Sequence, residues 1–401
     1  MRHGALTTIS RLLTGGLLAF TLAACSMAGL ERFGGPNPST GEPIGTALPT
    51  AQGQTIGSGP TRVALLLPLS GDPALTSVGT SMSHGAELAM DYIASNGSIA
   101  DNITLVIKDT GDTVQGASAA AAQAVQEGAS LILGPLRADQ VTAAGATARS
   151  AGIPVIGFSN NSGAAGPGVY LLNVLPESEA KRSLGYVQKL GKRAIVGIFS
   201  TNDFGRIQQS AFSQAAADLG IALVGVYNFK SEDEARNVVG QLAPIIQAGQ
   251  VDTVIIPDRA TAPSFAALFE QAGIPQGQVQ FIGSADWNGD TNIVNSPYLA
   301  GAVFPAVDDA GYQALLPQFQ QKFGGTMHAF TTIAYTATIL ANSSALALGS
   351  PKYDKAALTV AGGFKGRDGV FRFLPDGRSE YALVIRQVTI GGSAVAEASK
   401  L

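Results

Sequence analysis

Cysteine is almost absent, since Cys25 is the only one in 401 residues. No disulfide can close within the chain, and no cysteine cluster can hold a metal or run a redox couple. Histidine is scarce too, at three residues. Two of them, His84 and His328, lie in stretches that read as helices, where a surface or satisfied imidazole is the ordinary case. Tryptophan occurs once, as Trp287. Charged residues make up 13% of the chain against 46% hydrophobic. That balance excludes disorder of the whole chain and leaves ample material for a core. The net charge of −4 comes with no basic run, so there is no electrostatic footprint for nucleic acid and no polybasic membrane patch. Catalytic signatures are missing as well: no G-x-S-x-G elbow and no H-E-x-x-H. "GYVQKLGKR" fails the spacing of a phosphate loop and ends a helix instead of opening one. The chain reads as non-catalytic, with no cofactor and no metal expected.

The placement of Cys25 is informative. It closes an apolar run from Leu12 to Ala24, preceded by Arg2 and Arg11 and by no acid. A bilayer span needs about 20 apolar residues. This run is shorter and is broken by Gly15 and Gly16, so residues 1–24 read as a secretory signal. Leu22-Ala23-Ala24-Cys25 matches the lipobox of bacterial lipoproteins, which makes Cys25 a lipidation site. The alternative is a plain secretory signal cut after Ala24. Acyl chains contribute about 0.8 kcal/mol per buried CH₂, so a multiply acylated Cys25 anchors stably. Cleavage before it removes two arginines, leaving 23 bases against 29 acids and a net charge of −6. From Phe33 to Pro60 the sequence is rich in Gly, Pro, Ser and Thr, with no periodic apolar face. Residues 25–60 thus read as a lipidated cysteine and a flexible linker reaching about 30 Å. The expected location is the periplasmic side of the cell envelope, on the outer or the inner membrane. Ser26, by resemblance to enterobacterial sorting rules, permits the outer one.

From residue 61 strands and helices alternate. "TRVALLLPLSG", "ITLVIKD", "SLILGP" and "IPVIGFS" read as buried parallel strands. Helical stretches separate them, the first over about 79–95 with Ala86, Ala89, Met90 and Ile93 on one face. After a break at "NNSGAAGPG" and a short strand, a second alternation begins, with strands "RAIVGIFS", "IALVGVYNF", "VDTVIIP" and "VQFIGS". The rhythm predicts an α/β protein of two doubly wound, Rossmann-like lobes. After "LAGAVFP" come two helical stretches and then two β runs around Asp376-Gly377, a hairpin signal.

Open parallel sheets take ligands outside the carboxyl ends of their strands. The loops there carry Ser70, Gly134, Arg137, Ser159 and Asn160 in the first unit. In the second they carry Phe204, Asp258, Asp286 and Trp287. Hydroxyls, amides, charges and an aromatic wall on two facing rims suit a small polar ligand. Ser, Asn, Asp and Gly also populate loops for backbone reasons. Trp287 and Phe204 read either as binding walls or as packed contacts. Arg137 reads as a carboxylate clamp or a solvated helix start.

"VALLLPLSG", "VGTSMSHGAELAMDYI", "LILGPL", "AGIPVIGFSN" and "GIFSTNDFGR", in that order, resemble the type I periplasmic binding proteins of the leucine/isoleucine/valine class. The resemblance covers nearly all of residues 61–390. It implies two lobes joined by three crossovers: 61–173 with about 305–350, and 174–304 with about 351–390, leaving 391–401 as a tail. It also implies a captured amino acid or related solute, delivered to the permease of an ABC importer, with Ser159 where these binders hold the ligand carboxylate. Gly134-Pro135-Leu136, Asn160-Asn161 and "PESEA" at 176–180 look like a branch called penicillin-binding-protein activators, lipoproteins that touch a peptidoglycan synthase. Leu136 and Arg137 stand where the amino-acid binders offer a hydroxyl. Phe204 replaces their usual tyrosine. Glu232 is the only loose match to their acid in the second lobe.

Overall fold

The computed structural model describes residues 48–401. The signal segment, Cys25 and most of the expected linker lie outside the described residues.

The first lobe is built on β1 (Gln54–Ile56), β2 (Thr61–Leu67), α1 (Pro73–Ser95), β3 (Ile103–Asp109), α2 (Val114–Gln126), β4 (Leu131–Leu133), α3 (Ala138–Arg149), β5 (Val155–Gly157) and β6 (Val169–Leu171). Its sheet runs β1-β3-β2-β4-β5-β6. The last five strands are mutually parallel and β1 is antiparallel to β3. Strand periodicity sends alternate residues to opposite faces. Val63, Leu65 and Leu67 join α1 in one core. Ala64 and Leu66 join the alanine-rich faces of α2 and α3 in another. Both faces are covered, which is why the strands read as continuous apolar runs.

The second lobe follows: α4 (Pro176–Lys189), β7 (Ile195–Ser200), α5 (Asp203–Asp218), β8 (Leu223–Phe229), α6 (Glu232–Gln247), β9 (Thr253–Ile255), α7 (Ala262–Gln271), β10 (Gln280–Ile282), α8 (Thr291–Val294) and β11 (Val303–Ala306). These five strands are parallel. The chain then returns to the first lobe as α9 (Ala310–Phe323), α10 (Thr331–Ala341), α11 (Ser344–Ala347), α12 (Lys355–Leu358), β12 (Phe364–Gly366), β13 (Gly369–Phe373) and β14 (Ser379–Tyr381). It ends in the second lobe as β15 (Leu383–Thr389), antiparallel to β11, and β16 (Gly392–Lys400), antiparallel to β15.

Four expectations need correction. Residues 351–382 pack in the first lobe, not the second: Leu358, Phe371, Phe373 and Tyr381 share a core with Leu65 and Tyr170, and Leu171 N–H donates to Gly377 C=O at 2.8 Å. Residues 391–401 are not a loose tail, because β16 forms the edge of the second sheet. The segment 48–60 is not free linker. β1 pairs with β3, and Gln52 C=O accepts from the Lys108 ammonium at 2.7 Å, above a buried Lys108–Glu127 pair at 2.8 Å. Its backbone supplies this cover, so no apolar face is required. His328 also falls in the loop before α10 and not in a helix.

Candidate functional site

The crossovers locate the site. β6 leaves the first sheet at its carboxyl end and leads into α4. β11 leaves the second sheet at its carboxyl end and leads into α9. The third crossing enters β15 beside that same end, since Val384 is paired with Ala306. All three therefore run along one seam, onto which the carboxyl ends of both sheets open. Side chains stitch the first and third crossings together. Ser379 Oγ donates to Asn173 C=O at 2.6 Å, and Ser178 Oγ donates to Ser379 C=O at 3.3 Å. Arg182 Nε donates to Leu383 C=O at 2.7 Å.

On the first rim the loop after β3 organises the loop after β2. Asp109 Oδ1 accepts from the N–H groups of Leu69 (2.8 Å) and Gly111 (2.7 Å). Desolvation pushes the Asp109 carboxyl up, but hydrogen bonds from Ser70, Gly111 and Leu69 outweigh it and hold the pKa below the usual value. Ser70 is exposed beside this carboxylate. Gly134 ends β4 at φ +81°, and a Cβ there would meet Leu66 C=O at 2.2 Å, so only glycine fits. Its role is to turn the backbone. Arg137 is held by Asp139 at 2.8 Å and stays half-exposed. Leu136 packs against the first core.

Ser159, at the end of β5, is buried. Its Oγ accepts from Asn161 N–H at 3.1 Å, which leaves the hydroxyl proton available to an acceptor. Asn160 beside it is exposed. Asn173 Nδ2 donates to Phe158 C=O at 2.7 Å and ties this loop to the first crossing.

On the second rim Phe204 is half-buried in the first turn of α5, which Asn202 caps by accepting from Gly205 N–H at 2.8 Å. Arg259 reaches Asp286 at 3.3 Å and Asp290 at 3.7 Å. Asp258 lies beside this cluster and helps raise the Asp286 pKa, behind desolvation and against Arg259. Trp287 does not line the rim. It is fully buried, packed with Phe304 and lying so close to Gly283 that a Cβ there would meet its ring at 2.1 Å. The indole holds up the loop from beneath. Glu232 is exposed and paired with Arg236 on α6.

One residue escaped the sequence reading. Glu179, in the first turn of α4, accepts from Ala285 N–H at 2.9 Å and so joins the crossing to the second rim. Desolvation, with Asp286 and Glu177 and against that hydrogen bond, pushes its pKa to about 7. The segment "PESEA" was legible only as a resemblance. Nothing in it signals that its second glutamate meets a loop more than a hundred residues away.

A fold of two parallel-sheet lobes with three crossovers at one seam defines a type I binding protein of the leucine-binding kind. Residues 60–393 match the family described as periplasmic binding protein, and the chain belongs to that family. Solved structures agree on the fold. A putative branched-chain amino acid ABC transporter protein from Rhodospirillum rubrum is 18% identical with a TM-score of 0.71, over 84% of this chain and 99% of that one. The leucine-binding protein LivK of Thermotoga maritima is 17% identical with a TM-score of 0.55, over 84% and 98%. A solute-binding protein from R. palustris, solved with benzoate, is 18% identical with a TM-score of 0.56, over 85% and 98%. A search of curated protein sequences found no match. The family consists of substrate-binding proteins, and its name implies a periplasmic location. Among the described residues no helix is long and apolar enough to cross a membrane.

Proposed function

We propose that this protein captures a small polar ligand, an amino acid or a related carboxylate, between its two rims. It then presents the ligand to the permease of an ABC importer while anchored through a lipid on Cys25. The observation that carries the reading is the seam: three crossovers align the carboxyl ends of two parallel sheets on one side of the hinge. In that setting Ser159, buried and with its proton uncommitted, donates to the ligand carboxylate. Asn160 and Ser70 frame the same rim. On the second rim Asp258 and Asp286, the latter shared with Arg259, offer carboxylates to an ammonium group. Solved relatives in complex with isoleucine and with benzoate support a carboxylate as the common ligand feature. The lipobox supports the anchor.

Isothermal titration of the purified chain with branched-chain amino acids and with benzoate tests the reading. Saturable heat is expected, and Ser159→Ala weakens it about tenfold, equivalent to about 1.4 kcal/mol. No heat with any of these solutes would defeat it. A second reading, an activator that contacts a peptidoglycan synthase, draws on Leu136. That side chain is half-buried against the first core, where amino-acid binders offer a hydroxyl. A synthase whose rate rises with this protein present, with no solute heat, would favour it.

A further inference from the structure

A groove of about 630 Å³ leaves the Ser70–Gly71 turn and follows α1 to the end of α9, wholly within the first lobe. On α1 its wall is Thr76, Ser77, Thr80, Ser81 and His84, spaced along one helical face. The opposite lip is Gly324, Gly325 and Thr326. Nothing lies within 4 Å of where a Cβ would stand on either glycine, so that lip is bare backbone. His84 supplies a half-buried ring, stacked on Phe323 at 3.8 Å and 3°, while Phe319 beside it is buried in the core.

The lining is chemically uniform. Hydroxyls dominate it, and no carboxylate, ammonium or guanidinium is among its residues. Ser81 is already committed, bonded to Thr331 Oγ1 at 2.8 Å and accepting from His328 N–H at 3.0 Å. Thr76 Oγ1 has no hydrogen-bond partner among the described residues, but it is shielded from solvent and meets a ligand only when its side chain turns outward. Thr80 and Ser77 are exposed. A charged ligand would give up water here for neutral dipoles alone, which costs free energy. An apolar ligand would leave the hydroxyls unpaired, which also costs. A neutral polyol avoids both penalties. Each of its hydroxyls donates and accepts, matching the hydroxyls of the wall, and the C–H face of a sugar ring can rest on the half-buried His84. The volume falls within the range of about 300–1,000 Å³ usual for small-ligand sites.

From this we propose that the α1–α9 groove is a second binding site, which meets the first rim only at its Ser70 end, and that it takes a neutral oligosaccharide. The proposal does not depend on what the seam binds.

The test titrates the purified full chain with two neutral probes, a β-1,4-linked N-acetylglucosamine tetramer and maltotetraose. At least one is expected to bind with a Kd of about 1 mM or tighter. Thr80→Arg, which places a long side chain across the groove from an exposed helical position, should weaken that binding at least about tenfold. It should leave any amino-acid heat unchanged, and Ser159→Ala should leave saccharide binding unchanged. Hydrogen exchange on the wild-type chain gives a reading that needs no variant: the bound probe should protect amides at 73–84 and 319–326. Failure of both probes to bind would overturn the proposal. So would binding that Ser159→Ala weakens and Thr80→Arg does not, or protection confined to the seam loops.

Discussion

Lys108 and Glu127 form an ion pair 3% and 7% exposed, at 2.8 Å. Glu127 also accepts from Gln52 N–H at 3.0 Å, and Lys108 donates to Gln52 C=O. Removing one partner from a buried pair strands the other charge, at a cost of about 3–5 kcal/mol. Lys108→Met should therefore destabilise the chain by that amount in urea unfolding. The double variant Lys108→Met with Glu127→Leu should recover most of the loss. Glu179 makes a pH prediction. Its carboxyl moves from 4.5 to about 7 on folding, so the folded chain holds a proton that the unfolded chain releases. Its contribution is full below about pH 4.5 and is lost as pH rises to about 7, with no further change above. Comparing wild type with Glu179→Gln across pH 4–8 isolates this slope, and the variant should lack it. At this scale the sequence was only partly legible. Ser159 and Arg137 could be placed at strand ends because turn chemistry and strand runs mark those ends. Whether Arg137 is free or tied to Asp139, and whether Trp287 faces outward or inward, depends on rotamers and neighbours that no spacing encodes.

Elements were read more securely than residues, for a physical reason. A strand covered on both faces must be apolar throughout, and a helix on its surface must repeat every three to four residues. Those patterns located β2 to β5 and α1. They started α1 too late, because Asp72 and Pro73 begin it. Asp72 Oδ1 accepts from Leu75 N–H at 2.9 Å, and the proline sits where no intrahelical N–H is needed. The hairpin around Asp376-Gly377 was also legible, since β13 and β14 pair antiparallel. Its lobe was not: a short two-faced hairpin fits either sheet until its turn docks, here on Leu171. The turn after β10 is a case where element and core are coupled. Gly283→Ala would drive a methyl into the indole of Trp287, and overpacking of this kind costs about 1–3 kcal/mol. In a double-mutant cycle with Trp287→Leu, much of that loss should disappear, as expected for residues in direct contact. Additive losses would show that the turn can shift away from the ring.

At the scale of the whole molecule, the two lobes keep separate cores. Sheet 1 packs with α1, α2, α3 and α10, and sheet 2 with α4, α5, α6 and α7. Among the described residues the chain passes between them at the three crossings, and the first and third of these are hydrogen-bonded through Ser379, Asn173 and Arg182. Such a joint lets two rigid bodies rotate without breaking either core, which is the hinge form of domain closure. The two-lobed plan was readable because the β–α rhythm breaks once, at "NNSGAAGPG", and then resumes. The path of the return was not, since a helix pair and a hairpin carry no address. If ligand is held by both rims, closed conformers bind it and open ones do not, so saturation must shift the population toward closure. Small-angle scattering should then show a smaller radius of gyration with ligand than without. The melting temperature should also rise: ligand at 100 times its Kd adds about 2.7 kcal/mol to the stability of the folded chain. Ser159→Ala should need about tenfold more ligand to reach the same compaction, while reaching the same final radius, because the hinge is untouched. Saturation with an unchanged radius would mean that a single lobe holds the ligand, and the seam would no longer be its site.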